Sequence, residues 1–172
     1  MLELLLLRHA KAEQGGVATA DRDRPLAPRG HAQSLEMGRR MAEAGYRPAR
    51  IICSSALRTR ETLLGILPAL MPNLPAGAEI RLDPRLYEGS DATYLDVIRA
   101  EPSAGPILLI GHNPAIQALA HSLVGDSSEP LRAAVAAKYP TGALAVIAFE
   151  AERWADVEPQ TGRLKALMQP AA

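Results

Sequence analysis

Four consecutive leucines, Leu4–Leu7, run straight into Arg8, His9, Ala10 and Lys11. A short, wholly apolar run fits a strand buried on both faces, although periodicity alone does not separate it from a piece of buried helix. As a central parallel strand it sets Arg8 and His9 at its carboxyl end, where open α/β sheets place their ligand crevice. The pattern returns twice. Arg50-Ile51-Ile52-Cys53 ends in Ser54 and Ser55, and Pro106-Ile107-Leu108-Leu109-Ile110 ends in Gly111, His112 and Asn113.

Helical stretches alternate with these bursts. Residues 12–27 are polar and non-periodic, a loop long enough at the ligand end of a sheet to carry function. Within it the charges Asp21-Arg22-Asp23-Arg24 precede Pro25, and Arg22 reads as a solvated charge. A helix is predicted over Pro28–Ala44, with Ala32, Leu35, Met41 and Ala42 on its inner face and Gly45 as terminator. Another should run from Ser55 to Leu67, with Ser54 or Ser55 as N-cap and Pro68 closing it. Arg58 falls in its first turn, where a cation opposes the helix dipole. An anion bound there would reverse that penalty; Glu61 offers a plain salt-bridge partner instead. Glu79–Leu82 reads as a strand, and Asp91 as the cap of a helix to Ala100 whose Leu95 and Ile98 face the core. Pro114 suits the start of a helix ending near Val124 and Gly125, and Leu131–Lys138 suits a short one. Gly142–Phe149 reads as a fifth strand, with Arg153–Ala155 pairing as an edge hairpin before a frayed tail. The expected architecture is a single domain over residues 1–172, a three-layer α/β/α sandwich around a mostly parallel central sheet.

Charge narrows the function classes. Lys+Arg and Asp+Glu are both 19, so no global field draws in nucleic acid or an anionic membrane, and aromatics at 3% leave little for stacking bases. Anion binding must therefore come from locally gathered cations. Cys53 is the single cysteine, which excludes an internal disulfide and fits a reducing cytosol. Met1–Leu7 is too short for a signal-peptide core and no run reaches membrane-span length, so a cytoplasmic location is expected. Four histidines without paired His/Cys/Asp spacing suggest neither a metal nor another cofactor. His31 and His121 fall within helices as surface or core-edge residues. Oligomeric state has no legible signal.

His9, Ser54 and His112 each close a strand, so the fold can bring them to one face together with Arg8 and Arg58. Two arginines and two histidines on a neutral protein suit a dianionic phosphoryl group. The motifs Leu7-Arg8-His9-Ala10-Lys11, Asp23-Arg24-Pro25-Leu26 with Arg29-Gly30, Cys53-Ser54-Ser55-Ala56-Leu57-Arg58-Thr59-Arg60-Glu61-Thr62, Leu86-Tyr87-Glu88 and Gly111-His112-Asn113-Pro114 occur in that order. Together they resemble the histidine phosphatase superfamily, of phosphoglycerate-mutase-like fold, and within it the small SixA-type phosphohistidine phosphatases. Its usual Arg-His-Gly reads Arg-His-Ala here, a variation of the small branch.

The resemblance implies that His9 attacks phosphorus and forms a phosphohistidine that water hydrolyses, with Arg8, Arg58 and His112 holding the phosphoryl oxygens. A nucleophilic imidazole must be neutral, and adjacent cations lower its pKa. Arg24, Lys11, Ser54 and Asn113 are the candidate substrate contacts, Lys11 at the solvated rim. Glu88 stands where ester-cleaving relatives carry a proton donor, and reads equally as an exposed loop glutamate. An alkoxide needs protonation as it leaves, whereas imidazole needs less, so a weak acid favours phosphohistidine on a protein over small phosphate esters. Three rivals fit the sequence less well. A cysteine phosphatase needs five residues between cysteine and arginine, and Cys53 and Arg58 have four. A mutase uses a longer chain. A phosphoprotein-binding module would keep the pocket without turnover.

Overall fold

A computed structural model describes residues 1–125 and 129–171. Its centre is a six-stranded sheet of order β3-β2-β4-β1-β5-β6, made of β1 (Leu2–Arg8), β2 (Arg50–Ser54), β3 (Glu79–Asp83), β4 (Ile107–Gly111), β5 (Leu144–Phe149) and β6 (Arg163–Met168). β1 to β4 pair in parallel, and β5 runs against both of its neighbours. The helices are α1 (Pro28–Glu43), α2 (Leu57–Leu70), α3 (Arg85–Glu88), α4 (Asp91–Arg99), α5 (Ala115–Leu123) and α6 (Glu129–Ala137).

Alternation along β1 sorts its leucines between two cores. Leu5 and Leu7 pack with Met37 and Met41 of α1 and Ile66 and Leu70 of α2. Leu4 and Leu6 pack on the other face with Tyr94, Val97 and Ile98 of α4 and Ile116 and Leu119 of α5. A leucine buried on either side contributes about 1.5–3 kcal/mol, which is why the run is apolar at every position. The register sets Arg8 beside Gly111 and Cys53 beside Ile110, so β1, β2 and β4 end at one level. The three-layer sandwich therefore has the expected form.

Four local expectations are corrected. The inner face of α1 is Gly30, Gln33, Ser34, Met37, Gly38 and Met41, with Leu35 exposed. Close approach of α2 selects small residues there: a Cβ at Gly38 would lie 2.7 Å from the Ile66 Cα. α2 begins at Leu57 with Ala56 as N-cap and passes through Pro68 to Leu70, because the Leu67 carbonyl still accepts from the Met71 N–H. Ser90, not Asp91, caps α4, its Oγ accepting from the Thr93 N–H. Finally, Arg153–Ala155 makes no hairpin. Trp154 opens a 3₁₀ turn, its ring buried edge-on against Phe149 and its Nε1–H donating to the Gly105 carbonyl. The edge strand is β6, formed from the stretch expected to fray, and it pairs with β5 across an irregularity at Val146/Ile147.

Candidate active site

The aligned carboxyl ends of β1, β2 and β4 open into a cleft of about 360 Å³ lined by Arg8, His9, Lys11, Arg24, Arg58, Glu88, His112 and Asn113. Of the side chains expected to gather here, Ser54 alone stays out of the lining. Asp21, Tyr87 and Thr141 line it as well, without having been singled out.

β1 delivers His9 on a rigid backbone. The His9 N–H donates to the Gly111 carbonyl at 3.1 Å, and the Gly142 N–H caps the Arg8 and His9 carbonyls. Ring Nδ1 lies 2.7 Å from the Ala10 carbonyl oxygen, which can only accept, so Nδ1 carries the proton and Nε2 bears the lone pair. His9 is 8% exposed. Burial above all, then the Arg58, Arg8 and Arg24 guanidiniums, holds its pKa down at about 4 against the pull of the Ala10 carbonyl. His9 is thus a neutral imidazole with Nε2 unprotonated.

The His112 ring lies 5.4 Å from the His9 ring, centroid to centroid, tilted by 56°. Burial, then His9 and Arg58, lowers its pKa to about 3. Ser54, fully buried at the end of β2, places its Oγ 2.7 Å from His112 Nε2. Ser54 therefore reaches the cleft only through His112, which corrects its expected role as a substrate contact. Gly111 allows Tyr94 to come close behind, since a Cβ there would sit 2.7 Å from the Tyr94 hydroxyl. That hydroxyl accepts from the His112 N–H and donates to the Leu86 carbonyl, tying β4 to the turn bearing Tyr87 and Glu88.

The arginines are each held by a neighbour. Arg8 Nη1 donates to the Tyr139 carbonyl, and Arg58 donates to the Asp21 carbonyl at 2.8 Å and to Asp21 Oδ2 at 3.2 Å. Arg8 Nε and Arg58 Nε are both buried without a hydrogen-bond partner. A buried donor left unpaired costs about 1–3 kcal/mol, so each guanidinium carries an unspent donor beside the cleft that its residue lines. Asp21 also takes Arg24 at 2.9 Å and the Tyr87 hydroxyl at 2.6 Å. Those partners, Tyr87 foremost, push its carboxyl well below the usual range. The Tyr87 ring meets His112 edge-on at 5.7 Å and lies under the Arg22 and Arg58 guanidiniums. Arg22, held on Ser55 Oγ, is thus more than a solvated charge.

The remaining residues divide. Glu88 is exposed at the rim, with no hydrogen bond or ion pair among the described residues. Asn113 lines the cleft, but its amide is spent on Gln117 and the Tyr139 carbonyl. Cys53 is buried beneath the site, and burial raises its thiol to about 12, which leaves no thiolate for attack at neutral pH. No cluster of His, Cys, Asp or Glu among the described residues could hold a metal, and no described helix is long and apolar enough to cross a membrane.

Residues 4–91 match the Histidine phosphatase superfamily (branch 1). The chain belongs to that superfamily. It is 33% identical over 168 residues to an uncharacterized protein of Mycobacterium tuberculosis, covering 95% of this chain and 99% of the relative. Two solved structures share its form. One, from Agrobacterium tumefaciens and named a putative phosphohistidine phosphatase SixA, superposes with TM-score 0.80 at 29% identity, over 98% of each chain. The other, of the same description from Nakamurella multipartitia, gives 0.83 at 28% identity, over 99% of this chain and 97% of its own. The fold is phosphoglycerate-mutase-like, and this histidine phosphatase is of SixA type.

Proposed function

We propose that this phosphatase removes the phosphoryl group from phosphohistidine in proteins, through a phosphohistidine of its own at His9. The observation that carries the reading is the unprotonated Nε2 of His9 in a cleft that Arg8, Arg58 and His112 also line. Nε2 attacks phosphorus, and the P–N bond to His9 forms as the bond to the leaving group breaks. Arg8, Arg58 and Arg24 hold the equatorial oxygens, on which charge gathers. Ser54 Oγ accepts from the Ala56 N–H at 3.4 Å, which frees its own proton for His112 Nε2. The other His112 nitrogen then carries the N–H that meets a phosphoryl oxygen. Water next attacks the phosphohistidine and releases inorganic phosphate.

The proton supply favours phosphohistidine over esters. Two carboxylates line the cleft. Asp21 is held ionised by Tyr87, Arg24 and Arg58, which makes it a poor acid. Glu88 is an exposed carboxylate that nothing orients. A leaving imidazole can leave without strong protonation, whereas an alkoxide cannot.

The test is a panel of phosphohistidine peptide, phosphosugars and aryl phosphate against wild type and Glu88→Gln. Expected are an acid-labile, base-stable phosphate on His9, preference for the phosphohistidine peptide, and at most a threefold loss on that substrate in Glu88→Gln. Simple monoesters cleaved faster than the peptide, with Glu88→Gln abolishing both, would remove the phosphohistidine assignment. Tight phosphate binding without phosphorylated His9 would make the protein a binding module.

A further inference from the structure

Beside the catalytic cleft lies a second hollow of about 460 Å³, with Lys11 and Thr141 common to both walls. Arg29 and Gln33 of α1 form one side of it, and Lys138 and Gln169 contribute to the rest. Its lining holds three cations and no carboxylate. Elsewhere Arg81 meets Glu101, Arg85 meets Asp83 and Arg153 meets Asp156, whereas no carboxylate lines this hollow. Among the described residues no hydrogen bond or ion pair engages the side chains of Lys11, Arg29 or Lys138, all three exposed. Gln33 Oε1 accepts from the Lys11 N–H at 2.9 Å, and no hydrogen bond among the described residues uses the Gln33 Nε2 donor, on a residue that lines the same hollow. Every charged side chain around this space is a cation.

We propose that the hollow is a subsite for a second anionic group of the substrate, a carboxylate or phosphate carried on the leaving-group side of the scissile phosphoryl group. This rests on the phosphatase reading of the adjoining cleft and narrows it to substrates with two separated anions. Lys11 stands at the junction and faces both charges. Arg29 and Lys138, away from the reacting atoms, act on the second anion alone. A neutral leaving group gains nothing here. An acidic one is held in place before the P–N or P–O bond breaks. The second anion can belong to a small acid or to Asp and Glu side chains flanking a phosphohistidine, and the two sources are separable by experiment.

Binding is measured by calorimetry with 3-phosphonopropionate and 4-phosphonobutyrate against the uncharged-tail propylphosphonate. The proteins are wild type, Arg29→Ala, Lys138→Ala, the double variant, and Arg39→Ala as a cation removed from the same helix outside both hollows. Wild type is expected to favour the carboxylate compounds by about tenfold, each single variant to lose roughly threefold, and the double variant to bind all three ligands alike, as exposed ion pairs of modest strength allow. Propylphosphonate affinity should stay within about twofold throughout, Arg39→Ala should behave as wild type, and added salt should shrink the preference. Equal affinity of wild type for the three ligands, no binding of the carboxylate pair, or parallel losses for all ligands in the double variant would overturn the subsite. Turnover arms use aryl phosphate with and without a para-carboxylate, and phosphohistidine peptides flanked by Glu or by Gln. A KM preference confined to the aryl pair assigns a small acid, and one confined to the peptides assigns a protein. Should no substrate turn over while the phosphonate preference stands, the catalytic reading falls and the subsite remains.

Discussion

His9 and His112 are both buried as neutral imidazoles, and this should make the protein's stability fall steeply in mild acid. Their folded pKa values of about 4 and about 3 lie below the ordinary 6.5 of the unfolded chain. Between those limits the unfolded state binds more protons, so stability rises with pH and is fully present above about pH 6.5. Lowering pH from 7 to 5 should cost about 2 kcal/mol for each histidine, or about 4 kcal/mol for the pair. The depressed carboxylates Asp21 and Asp83 act in the same direction, but only as pH falls through and below the ordinary aspartate value near 4. They therefore leave this window to the histidines. The assay is urea unfolding at pH 7, 6 and 5 for wild type, His112→Gln and the His9→Gln/His112→Gln pair. The double variant should lose most of the slope. The single variant need not lose half, because the rings are in contact and His9 contributes to the His112 shift. In parallel, kcat on aryl phosphate should hold level from pH 7 to about 5 while the protein stays folded. A wild-type stability flat from pH 7 to 5, or a kcat falling with an apparent pKa near 6.5, would refute the buried neutral pair.

Three other perturbations separate the parts of the site. Ser54→Ala removes the hydroxyl that fixes His112 and should lower kcat by about ten- to a hundredfold with KM little changed, measured at saturating aryl phosphate. Gly38→Ala forces a methyl group against the Ile66 backbone and should destabilise the fold by about 2 kcal/mol in urea unfolding, with no change in KM for the folded fraction. Cys53→Ser should leave kcat within about twofold, and thiol-alkylating reagents should not inactivate the folded wild type, because Cys53 is fully buried and protonated.

The strands that build the site were legible because each combined an apolar run with an abrupt polar end, and the open-sheet rule then placed Arg8, His9 and His112 together. Asp21 and Tyr87 were not legible as partners, since residues 12–27 must fold back across the start of α2 to join them, and no local pattern records that path. β6 was hidden by Arg163 and Lys165, whose outward positions alternate with the buried Leu164 in a strand with one exposed face. The inner face of α1 was misread for a different reason. Hydrophobic periodicity picks out large apolar side chains, whereas α1 meets α2 through Ser34 and Gly38, where absence of bulk sets the contact.

Asp21 explains how a cleft rich in cations stays ordered without phosphate. Arg8, Arg24 and Arg58 repel one another, and freely mobile guanidiniums would have to be gathered each time substrate bound. Asp21 meets two of them, its carboxylate bonding Arg24 and Arg58 while its main-chain carbonyl takes a second donor of Arg58. The Tyr87 hydroxyl fixes the same carboxylate from the other side. Arg24 and Arg58 therefore line the cleft with their reorganisation already spent in folding, the condition under which fixed charge accelerates phosphoryl transfer most. The same arrangement has a chemical consequence. A carboxylate committed to two guanidiniums and a phenol does not keep a proton at neutral pH, so under the proposed reading Asp21 orders the phosphate site without serving as its acid. Under that reading, rigidity for the phosphoryl group and assistance for a poor leaving group compete for one side chain, and the bonds of Asp21 favour the former.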